Sequence, residues 1–423
     1  MTVIGLDDTD SRERGMCTTY VANRVADRIE ESGGHVERVL LVRLNPAVEY
    51  KTRGNAALAV HCDVDPEAAE TVAREELAAA ETDDPNTNPG LVVAPGAPDA
   101  VPDRVAAFAR DALREIHAID DAVALAEDCG YRHVGWKNAR GTIGALAAVG
   151  AWAAFDDWTY EHISYRRPDR WGTERDLDYD SLFAAADEHY PDAWDTVDRV
   201  EDEAVCVPHT PCPILHGIRG DDPAACRGLA DAVGGEPVYD TRTFVTNQGT
   251  DAHLAPGRLG DLDADRAYRV SGTVASPPET RRGGHVFFDL AATDGEASIQ
   301  CAAFEPTKRF RDRVRGLREG DRLTVCGEVS DGTLKLEKVA VRALNRTVRE
   351  TPDCPDCGRT MKSAGRDQGY RCRDCGTDAD GKVPVEVTRD LELGWYEVPP
   401  CARRHVAKPL VRGGFDAPTH PER

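Results

Sequence analysis

The stretch TVIGLDDTDS, residues 2–11, runs from a short apolar segment into a polar cluster that contains three aspartates. We predict a strand over the apolar segment and an acidic loop directly after it. The helical spacing of Val21, Val25 and Ile29 predicts a helix that begins close to Thr18. A strand, an acidic loop and a helix N-terminus in such close succession are typical of a ligand-binding edge in an α/β protein.

Alternating strand and helix patterns continue to about residue 140 and predict an α/β arrangement for this part of the chain. Strands are expected at Val36–Leu44 and Ala56–Val64, and helices at Pro66–Ala80 and Pro102–His117. The segment Glu81–Pro98 is rich in Asp, Asn, Pro and Gly, so we interpret it as a surface insertion.

Further changes of pattern predict a multidomain α+β chain. Periodicity is weak over residues 143–262, which indicates a second α+β domain. Over residues 266–346, three strand patterns, a short basic helix and two more strand patterns follow one another, the order of an OB-fold β-barrel. The last part holds paired cysteines and a basic, proline-broken tail. We therefore predict domains at 1–142, 143–262, 266–346 and 350–423.

The net charge of −23 is unusual for a protein that binds nucleic acid, because phosphate binding favours a basic surface. Only 8 of the 52 basic residues are lysines, and aspartates abound. A protein that works in concentrated salt would have such an acidic, lysine-poor surface, because high salt screens the repulsion between carboxylates. We interpret the charge as an adaptation to salt rather than as evidence about partners.

Targeting signals and disulfide patterns are both missing from the sequence. No apolar run approaches the roughly 20 residues that span a bilayer, and the N-terminus lacks the basic segment and cleavage site of a signal peptide. Most cysteines are scattered singly, as in a reduced cytosolic protein. We expect a cytoplasmic protein with no membrane association and no obligate protein partner.

Two near-identical motifs close to the C-terminus predict a metal site. Cys354 and Cys357 form one Cys-x-x-Cys-Gly pair, and Cys372 and Cys375 form the other. Two residues between thiolates let both sulfurs of a turn face one ion, and four thiolates form a closed structural zinc site. A redox pair or two disulfides are the alternatives.

The acidic loop suits phosphate chemistry. Asp7, Asp8 and Asp10 repel one another unless a cation lies among them, so Mg²⁺ with nucleotide phosphates is one interpretation. The alternative is a plain Asx-type turn at a strand end. Helix N-terminal amides favour an anion, which would place phosphate near Thr18 and Thr19. Either threonine could instead be an ordinary helix cap.

Two glycine-flanked basic motifs, at residues 50–55 and 135–144, could complete a phosphate site. Glycines permit close approach of phosphate, and the basic side chains would offset its charge. Solvated surface side chains are the alternative. The predicted ATP-binding residues of these motifs are Lys51, Arg53, Lys137, Arg140 and Gly141.

Taken in order, these motifs resemble those of the archaeal tRNA-isoleucine 2-agmatinylcytidine synthetases over nearly the whole chain. The acidic surface is halophile-like, and it and the Glu81–Pro98 segment are the departures from the family pattern. Besides the acidic loop, the motifs that carry the resemblance are RGMCTTY (14–20), RLNP (43–46), KTRGN (51–55), GWKNARGTIG (135–144), TPCP (210–213), GIRG (217–220) and NQGT (247–250).

The resemblance implies a kinase-like domain, a ferredoxin-like domain, an OB-fold and a zinc ribbon. It also implies an ATP-dependent ligase that acts on the wobble cytidine of isoleucine tRNA with a CAU anticodon. The C2 oxygen is activated by phosphate, agmatine's amine displaces that phosphate, and the anticodon then reads AUA. In the family a threonine takes up phosphate, and Thr18 matches it. The implied catalytic residues are Asp7, Asp8, Asp10 and Thr18.

Ligand-binding residues are predicted from charge. The guanidinium of agmatine needs a carboxylate, and Glu161 and Asp251 lie in the polar clusters of the second predicted domain. Both could instead belong to structural ion pairs. Clustered basic residues are informative in so acidic a chain, although a solvated helix face is the alternative. The predicted tRNA-binding residues are Lys308, Arg309, Arg311, Arg313, Arg403 and Arg404.

Two other functions fit parts of the sequence. An OB-fold with a zinc ribbon could simply bind single-stranded nucleic acid, but this leaves the acidic loop and the basic motifs unexplained. A small-molecule ATP-dependent kinase would use that loop but leaves the C-terminal third of the chain without a role.

Overall fold

A computed structural model of the protein describes residues 1–51 and 54–423, so the predicted ATP-binding residue Arg53 lies outside the described residues. No helix in these ranges is both long and apolar enough to cross a membrane. The described helices are α1 (Thr18–Glu31), α2 (Pro66–Leu77), α3 (Asp103–Asp111), α4 (Ile119–Asp128), α5 (Gly141–Ala154), α6 (Tyr179–Glu188), α7 (Pro223–Ala232) and α8 (Phe310–Arg315).

A mixed sheet in the order β5-β4-β1-β3-β2-β9-β6-β8-β7 spans the first 250 or so described residues. Its strands are β1 (Thr2–Asp7), β2 (Val36–Arg43), β3 (Ala56–Cys62), β4 (Gly90–Pro95), β5 (Arg132–Gly135), β6 (Thr159–Tyr165), β7 (Ala193–Trp194), β8 (Ile214–Gly220) and β9 (Asp240–Thr246). The pairings that join β1 to β5 are antiparallel. The predicted α/β arrangement, which implies parallel strands, is therefore wrong for this part.

Alternation along β1 sorts the helices onto the two faces of this sheet. Ile4 and Leu6 pack in one core cluster with residues of α1 and α2. Val3 points to the other face, where residues of α3, α4 and α5 form a second cluster. Side chains of a strand alternate between faces, so the chain buries both sides of β1 and places its acidic end at the sheet edge.

Helix α5 lies unusually close to β1. A Cβ at Gly5 would overlap the carbonyl oxygen of Ala145, and a Cβ at Gly144 would overlap the carboxylate of Asp7. Only glycines leave room for this approach. Consequently the first turn of α5 touches the acidic loop without an intervening side chain.

The interpretation of Glu81–Pro98 as a surface insertion is wrong. Its second half is β4, which pairs with β1 and β5 and buries Leu91, Val92 and Val93 completely. The Gly and Pro at the ends of this strand drew the sequence prediction toward a loop. The predicted helix Pro102–His117 also ends early, at Asp111, and α4 follows it.

Strands β6 to β9 extend the same sheet, since β2 pairs with β9 in parallel. Helices α6 and α7 pack on this half through a separate apolar cluster that includes Leu182, Leu229 and Ile218. The boundary predicted after residue 142 falls inside α5, whose side chains pack against the first half of the sheet.

The predicted OB-fold order is present in residues 266–343. Strands β11, β13, β14, β16 and β15 pair in a closed ring, and the ring closes through a parallel pairing of β14 with β16. Helix α8 lies between its third and fourth strands. The strands here are β10 (Leu254–Pro256), β11 (Arg266–Val274), β12 (Glu279–Thr280), β13 (Val286–Ala291), β14 (Ser298–Ala303), β15 (Arg322–Ser330) and β16 (Thr333–Ala343).

A small ribbon follows the barrel, and the C-terminal tail then returns to it. The ribbon strands are β17 (Thr347–Glu350), β18 (Lys362–Ser363), β19 (Tyr370–Arg371), β20 (Asp378–Ala379) and β21 (Val383–Glu386). In the tail, β22 (Gly394–Glu397) pairs with β16, and β23 (Thr419–His420) pairs with β22. The tail is thus part of the barrel rather than an extension of the ribbon.

The four predicted metal ligands converge in the ribbon. The sulfurs of Cys354, Cys357, Cys372 and Cys375 all lie within 4.8 Å of one another. Tetrahedral Zn–S bonds of about 2.3 Å require sulfurs about 3.8 Å apart, so the donor set fits Zn²⁺. Apart from two of these cysteines, only Met361 is buried in the ribbon's cluster, too little to hold a fold without the metal. The predicted structural zinc site is confirmed.

Zinc removal is expected to unfold the ribbon alone. Replacing the buried Cys372 with serine should abolish zinc binding, which plasma emission spectrometry would measure as about one ion per chain in the parent protein. Residues 351–391 should then become sensitive to protease while the rest of the chain resists. Cys129→Ser, remote from the ribbon, is the control. Full zinc content in Cys372→Ser would contradict the site.

The close approach of α5 to β1 can be tested with Gly5→Ala. The added methyl group should force the helix away from the strand and lower the free energy of unfolding by about 1–3 kcal/mol, the usual cost of overpacking. Gly381→Ala, at a position with open space around it, should change it by less than about 0.5 kcal/mol. Equal thermal stabilities of the two variants would refute the packing argument.

Candidate active site

Three of the cavities in the described part of the chain meet beside the acidic loop. The Asp8 cavity, about 360 Å³, contains Asp7, Asp8 and Asp10 in its wall. The Thr18 cavity, about 310 Å³, is lined by Thr18 and Glu161, among others. The Lys335 cavity, about 690 Å³, lies against the barrel. Gly54 lines all three, so they adjoin one another.

Asp7 ends β1 and lies against the first turns of α5. Its Oδ1 accepts a hydrogen bond of 2.7 Å from the backbone N–H of Asp8. Burial raises the pKa of Asp7 well above its usual range, and the charge of Asp8 raises it further. The carboxylate therefore lacks the solvation or counter-charge that would favour its ionised form.

Asp8 adopts a left-handed backbone conformation, with φ of 59°. Its Oδ2 accepts hydrogen bonds of 3.1 Å from the backbone N–H of Asn88 and from the guanidinium of Arg140. Burial raises the pKa of Asp8 to about 6, although Arg140 opposes the shift. A non-glycine residue held at positive φ is uncommon and often marks a functional turn.

Thr18 is the first residue of α1 and is buried. Its hydroxyl oxygen accepts a hydrogen bond of 3.0 Å from the hydroxyl of Thr9, which belongs to the acidic loop. Asp10 lines both the Asp8 cavity and the Thr18 cavity. The structure therefore brings the acidic loop and Thr18 together, as the sequence analysis expected.

The predicted ATP-binding residues occupy different environments. Arg140 lines the Asp8 cavity, and its side chain also donates to the carbonyl oxygens of Tyr50 and Asn86. Lys51 lines the same cavity, where burial lowers its pKa and its Nζ donates to the carbonyl oxygen of Val48 at 3.0 Å.

Lys137 and Gly141 instead brace the loop before β4. The Nζ of Lys137 donates to the carbonyl oxygens of Thr82, Asp84 and Thr87 at 2.5–3.1 Å. Its three hydrogens are thereby occupied by backbone. The N–H of Gly141 donates to the carbonyl oxygen of Asn88 at 2.9 Å.

The two predicted agmatine-binding residues are apart. Glu161 is buried in the wall of the Thr18 cavity, where its Oε2 accepts from Gln248 and its Oε1 lies 3.6 Å from Nε of Arg219. Asp251 lines none of the three cavities formed by the described residues. It accepts from the ammonium of Lys338 at 2.9 Å, on the side of the barrel.

The basic residues predicted to bind tRNA have acidic or aromatic partners within the chain. Arg403 is nearly buried and pairs with Asp195 and Glu397. The other five partnerships are Lys308 with Glu201, Arg309 with Asp198 and Glu422, Arg311 with Glu305, Arg313 over the ring of Tyr396, and Arg404 with Glu337 and Glu328.

The apolar wall of the Asp8 cavity was missed by sequence reasoning. It comes mainly from the ends of β2 and α3 and from the connection between α3 and α4, which carries Ile116 and His117. Tyr50 and Ile116 line its rim with 62% and 61% of their surface exposed. Exposed large apolar side chains beside a cavity are a signal of a ligand site, but exposure cannot be read from a helical pattern that was extended through residue 117.

Models of protein families match most of the chain. The model described as the TiaS TCKD domain matches residues 3–138, and that of the TiaS FLD domain matches residues 139–253. The model of the TiaS C-terminal zinc ribbon domain matches residues 351–391.

Full-length relatives are synthetases that act on the second isoleucine tRNA. The 2-agmatinylcytidine synthetase TiaS of Haloquadratum walsbyi is 56% identical over 100% of both chains. That of Methanosarcina mazei is 47% identical over 97% of each chain.

Solved structures agree with these matches. The complex of TiaS with this tRNA and ATP has a TM-score of 0.89 at 42% identity, and the complex with the tRNA, AMPCPP and agmatine has one of 0.88 at 40%. Both comparisons cover 100% of this chain and 99% of the other. As the resemblance of its motifs indicated, the chain belongs to the TiaS family of isoleucine-tRNA 2-agmatinylcytidine synthetases.

Proposed function

We propose that this protein uses ATP to attach agmatine to C2 of the wobble cytidine in isoleucine tRNA with a CAU anticodon. The product is 2-agmatinylcytidine. The observation that carries the proposal is the shared wall at Asp10, where the cavity of the acidic loop adjoins the cavity of Thr18 and Glu161. Relatives solved with ATP and the isoleucine tRNA, or with AMPCPP, agmatine and that tRNA, support it.

The domain assignment is part of this proposal. Residues 1–142 act as the kinase-like ATP domain and 143–262 as the ferredoxin-like domain on the agmatine side. Residues 266–346 and 350–423 form the barrel, ribbon and tail that bind tRNA. The chemistry takes place in the cytoplasm, where thiols stay reduced, which suits the zinc ribbon.

The Asp8 cavity receives the nucleotide. Its apolar wall suits a base, and the carboxylates with Arg140 suit phosphates. Asp7 and Asp8 have raised pKa values because burial shields them from water and neighbouring carboxylates add repulsion. Such a donor set fits Mg²⁺, a hard cation that binds through carboxylates and phosphates. Mg²⁺ there would neutralise the charge of the transferring phosphoryl group.

Lys51 and Arg140 would hold phosphate oxygens from opposite sides of the Asp8 cavity. Arg140 already neutralises Asp8, so it orients that carboxylate as well as contacting a ligand. Lys137 and Gly141 support the nucleotide indirectly, because they fix the loop that leads into β4. Arg53 remains a proposed ATP-binding residue outside the described part.

The reaction proceeds through an activated cytidine. The C2 oxygen takes a phosphoryl group, which converts a poor leaving group into phosphate. The primary amine of agmatine forms a C–N bond to C2, the C2–O bond breaks, and the amine loses its proton. Thr18 accepts phosphate in the family, and its hydroxyl here lies in hydrogen-bond contact with Thr9 beside Asp10. An aspartate of the loop serves as base toward that hydroxyl.

Glu161 holds the guanidinium of agmatine. Arg219 lies 3.6 Å from Glu161, and Nε of Arg219 makes no hydrogen bond within the described chain, so their ion pair is loose. Gly217 keeps space open beside the carboxylate, since a Cβ there would press on Oε1. Asp251 contributes indirectly, because it anchors Lys338 and the backbone of Lys408 in the tail.

The Lys335 cavity faces the barrel and carries the basic side chains of Lys335 and Arg404. We assign the approach of the tRNA to this side. Lys308, Arg311 and Arg313 extend the basic surface along the segment between β14 and β15. Arg309 and Arg403 support it through ion pairs that join the barrel to the second domain.

The two rival functions are not favoured. A binding module needs no cavity with paired carboxylates of raised pKa, and a small-molecule kinase needs no barrel or ribbon. The full-length match to synthetases includes all of these parts.

Loss of the acidic loop or of Thr18 should abolish product. Asp8→Asn and Thr18→Ala are expected to lower incorporation of labelled agmatine by at least about 100-fold, because each removes a group that acts on the transferring phosphate. Binding of tRNA, measured by filter retention, should stay within about twofold.

Asp83→Asn is the matched control, since Asp83 is exposed and pairs with Arg14 at the surface. Normal turnover in either loop variant would remove Asp8 or Thr18 from the reaction. Agmatine incorporation without ATP, or without tRNA, would refute the function itself.

Glu161→Gln should raise the KM for agmatine by about 10- to 100-fold, since a charge-assisted hydrogen bond is lost. The KM for ATP should not change. Asp251→Asn is the control: it breaks the contact with Lys338 and should lower the melting temperature without altering the KM for agmatine. An equal rise in both variants would contradict the different roles proposed for Glu161 and Asp251.

A further inference from the structure

His117 occupies a special position in the Asp8 cavity. It follows α3 and lines the apolar wall together with Ile116 and Ile119. Its ring packs against that of Phe108, with 4.3 Å between ring centroids. Such packing holds the imidazole in one orientation without using its nitrogens.

The Nε2 atom of His117 is buried, and it has no hydrogen-bond partner among the described residues. Buried polar atoms are nearly always paired, and an exception calls for a ligand or a bound molecule. Water could serve, but the surrounding wall is mainly apolar and offers few further partners to hold it.

Other polar side chains in this wall are already occupied. Glu115 forms an ion pair of 2.9 Å with Arg266. The side-chain amide of Asn55 donates to the carbonyl oxygen of Asn45 at 2.9 Å. His117 is therefore the side chain of this wall that has hydrogen-bonding capacity left for a ligand.

We propose that His117 recognises the base of the nucleotide by a hydrogen bond from Nε2 to the heteroatom edge of adenine. This rests on the proposed nucleotide binding in the Asp8 cavity. The carboxylates and Arg140 hold phosphates, which all nucleoside triphosphates share, whereas the apolar wall accepts any base. His117 supplies the polar contact that distinguishes one base edge from another.

The experiment pairs His117→Phe with ATP analogues. Phenylalanine keeps the contact with Phe108 and removes the nitrogen. The KM for ATP should rise by about 3- to 10-fold, as expected for one hydrogen bond. The KM values for agmatine and tRNA should stay unchanged, which a general structural defect would not allow. His117→Gln, which keeps a hydrogen-bonding group, should recover part of the loss.

The analogues are 1-deaza-, 3-deaza- and 7-deaza-ATP and the triphosphate of purine riboside, each of which lacks one polar group of adenine. The parent enzyme should bind one of them about 3- to 10-fold more weakly than ATP. His117→Phe should bind that analogue and ATP equally. Discrimination that persists in His117→Phe, or an unchanged KM for ATP, would overturn the assignment.

Ala118→Trp separates this proposal from the one on which it rests. Ala118 is exposed and lines the Asp8 cavity, so a tryptophan there should block it without disturbing the core. Calorimetry should detect no ATP binding. Full ATP binding by Ala118→Trp would refute the cavity assignment, and His117 with it. Blocked binding together with a normal His117→Phe would refute the role of His117 alone.

Discussion

The close contact of helix α5 with strand β1 determines how the whole site is arranged. Gly5 and Gly144 leave no side chain between the two elements, so the first turn of α5 rests on the carboxylate of Asp7. The same contact brings Arg140, just before the helix, to Asp8. Both carboxylates lose water, and their pKa values rise as a result. The energy of packing is thereby used to hold two charges in a site that suits phosphate and a divalent cation.

The strongly acidic composition has a structural counterpart. Many arginines lie at internal boundaries, as Arg403 does between Asp195 and Glu397 and Arg309 does beside Asp198. Buried pairs of this kind are costly to break, because removal of one partner leaves an unpaired charge. They tie the barrel and its tail to the second half of the main sheet. A cluster of basic residues in sequence therefore indicates charge, but not whether that charge faces RNA or another part of the chain.

Local patterns predicted the barrel well and the main sheet less well. Strands from β11 to β16 alternate apolar and polar residues, and their order is set by short connections. The pairing direction of β1 to β5 depends on contacts between distant segments, so alternation with helices suggested a parallel sheet that does not form. Strand β4 escaped prediction because Gly90 and Pro95 bound a segment next to a polar loop. Burial, not composition, makes it a central strand.

The sequence by itself determined the zinc ligands, the acidic loop with Thr18 and the family, because each depends on residues close together or on motifs in a set order. Only the tertiary structure decided that Glu161 shares a cavity with Thr18 while Asp251 does not. It also decided that His117 lines the cavity of the acidic loop. The physical reason is that a cavity is enclosed by segments far apart in the chain. Their meeting depends on strand pairing and helix packing, which no single segment encodes.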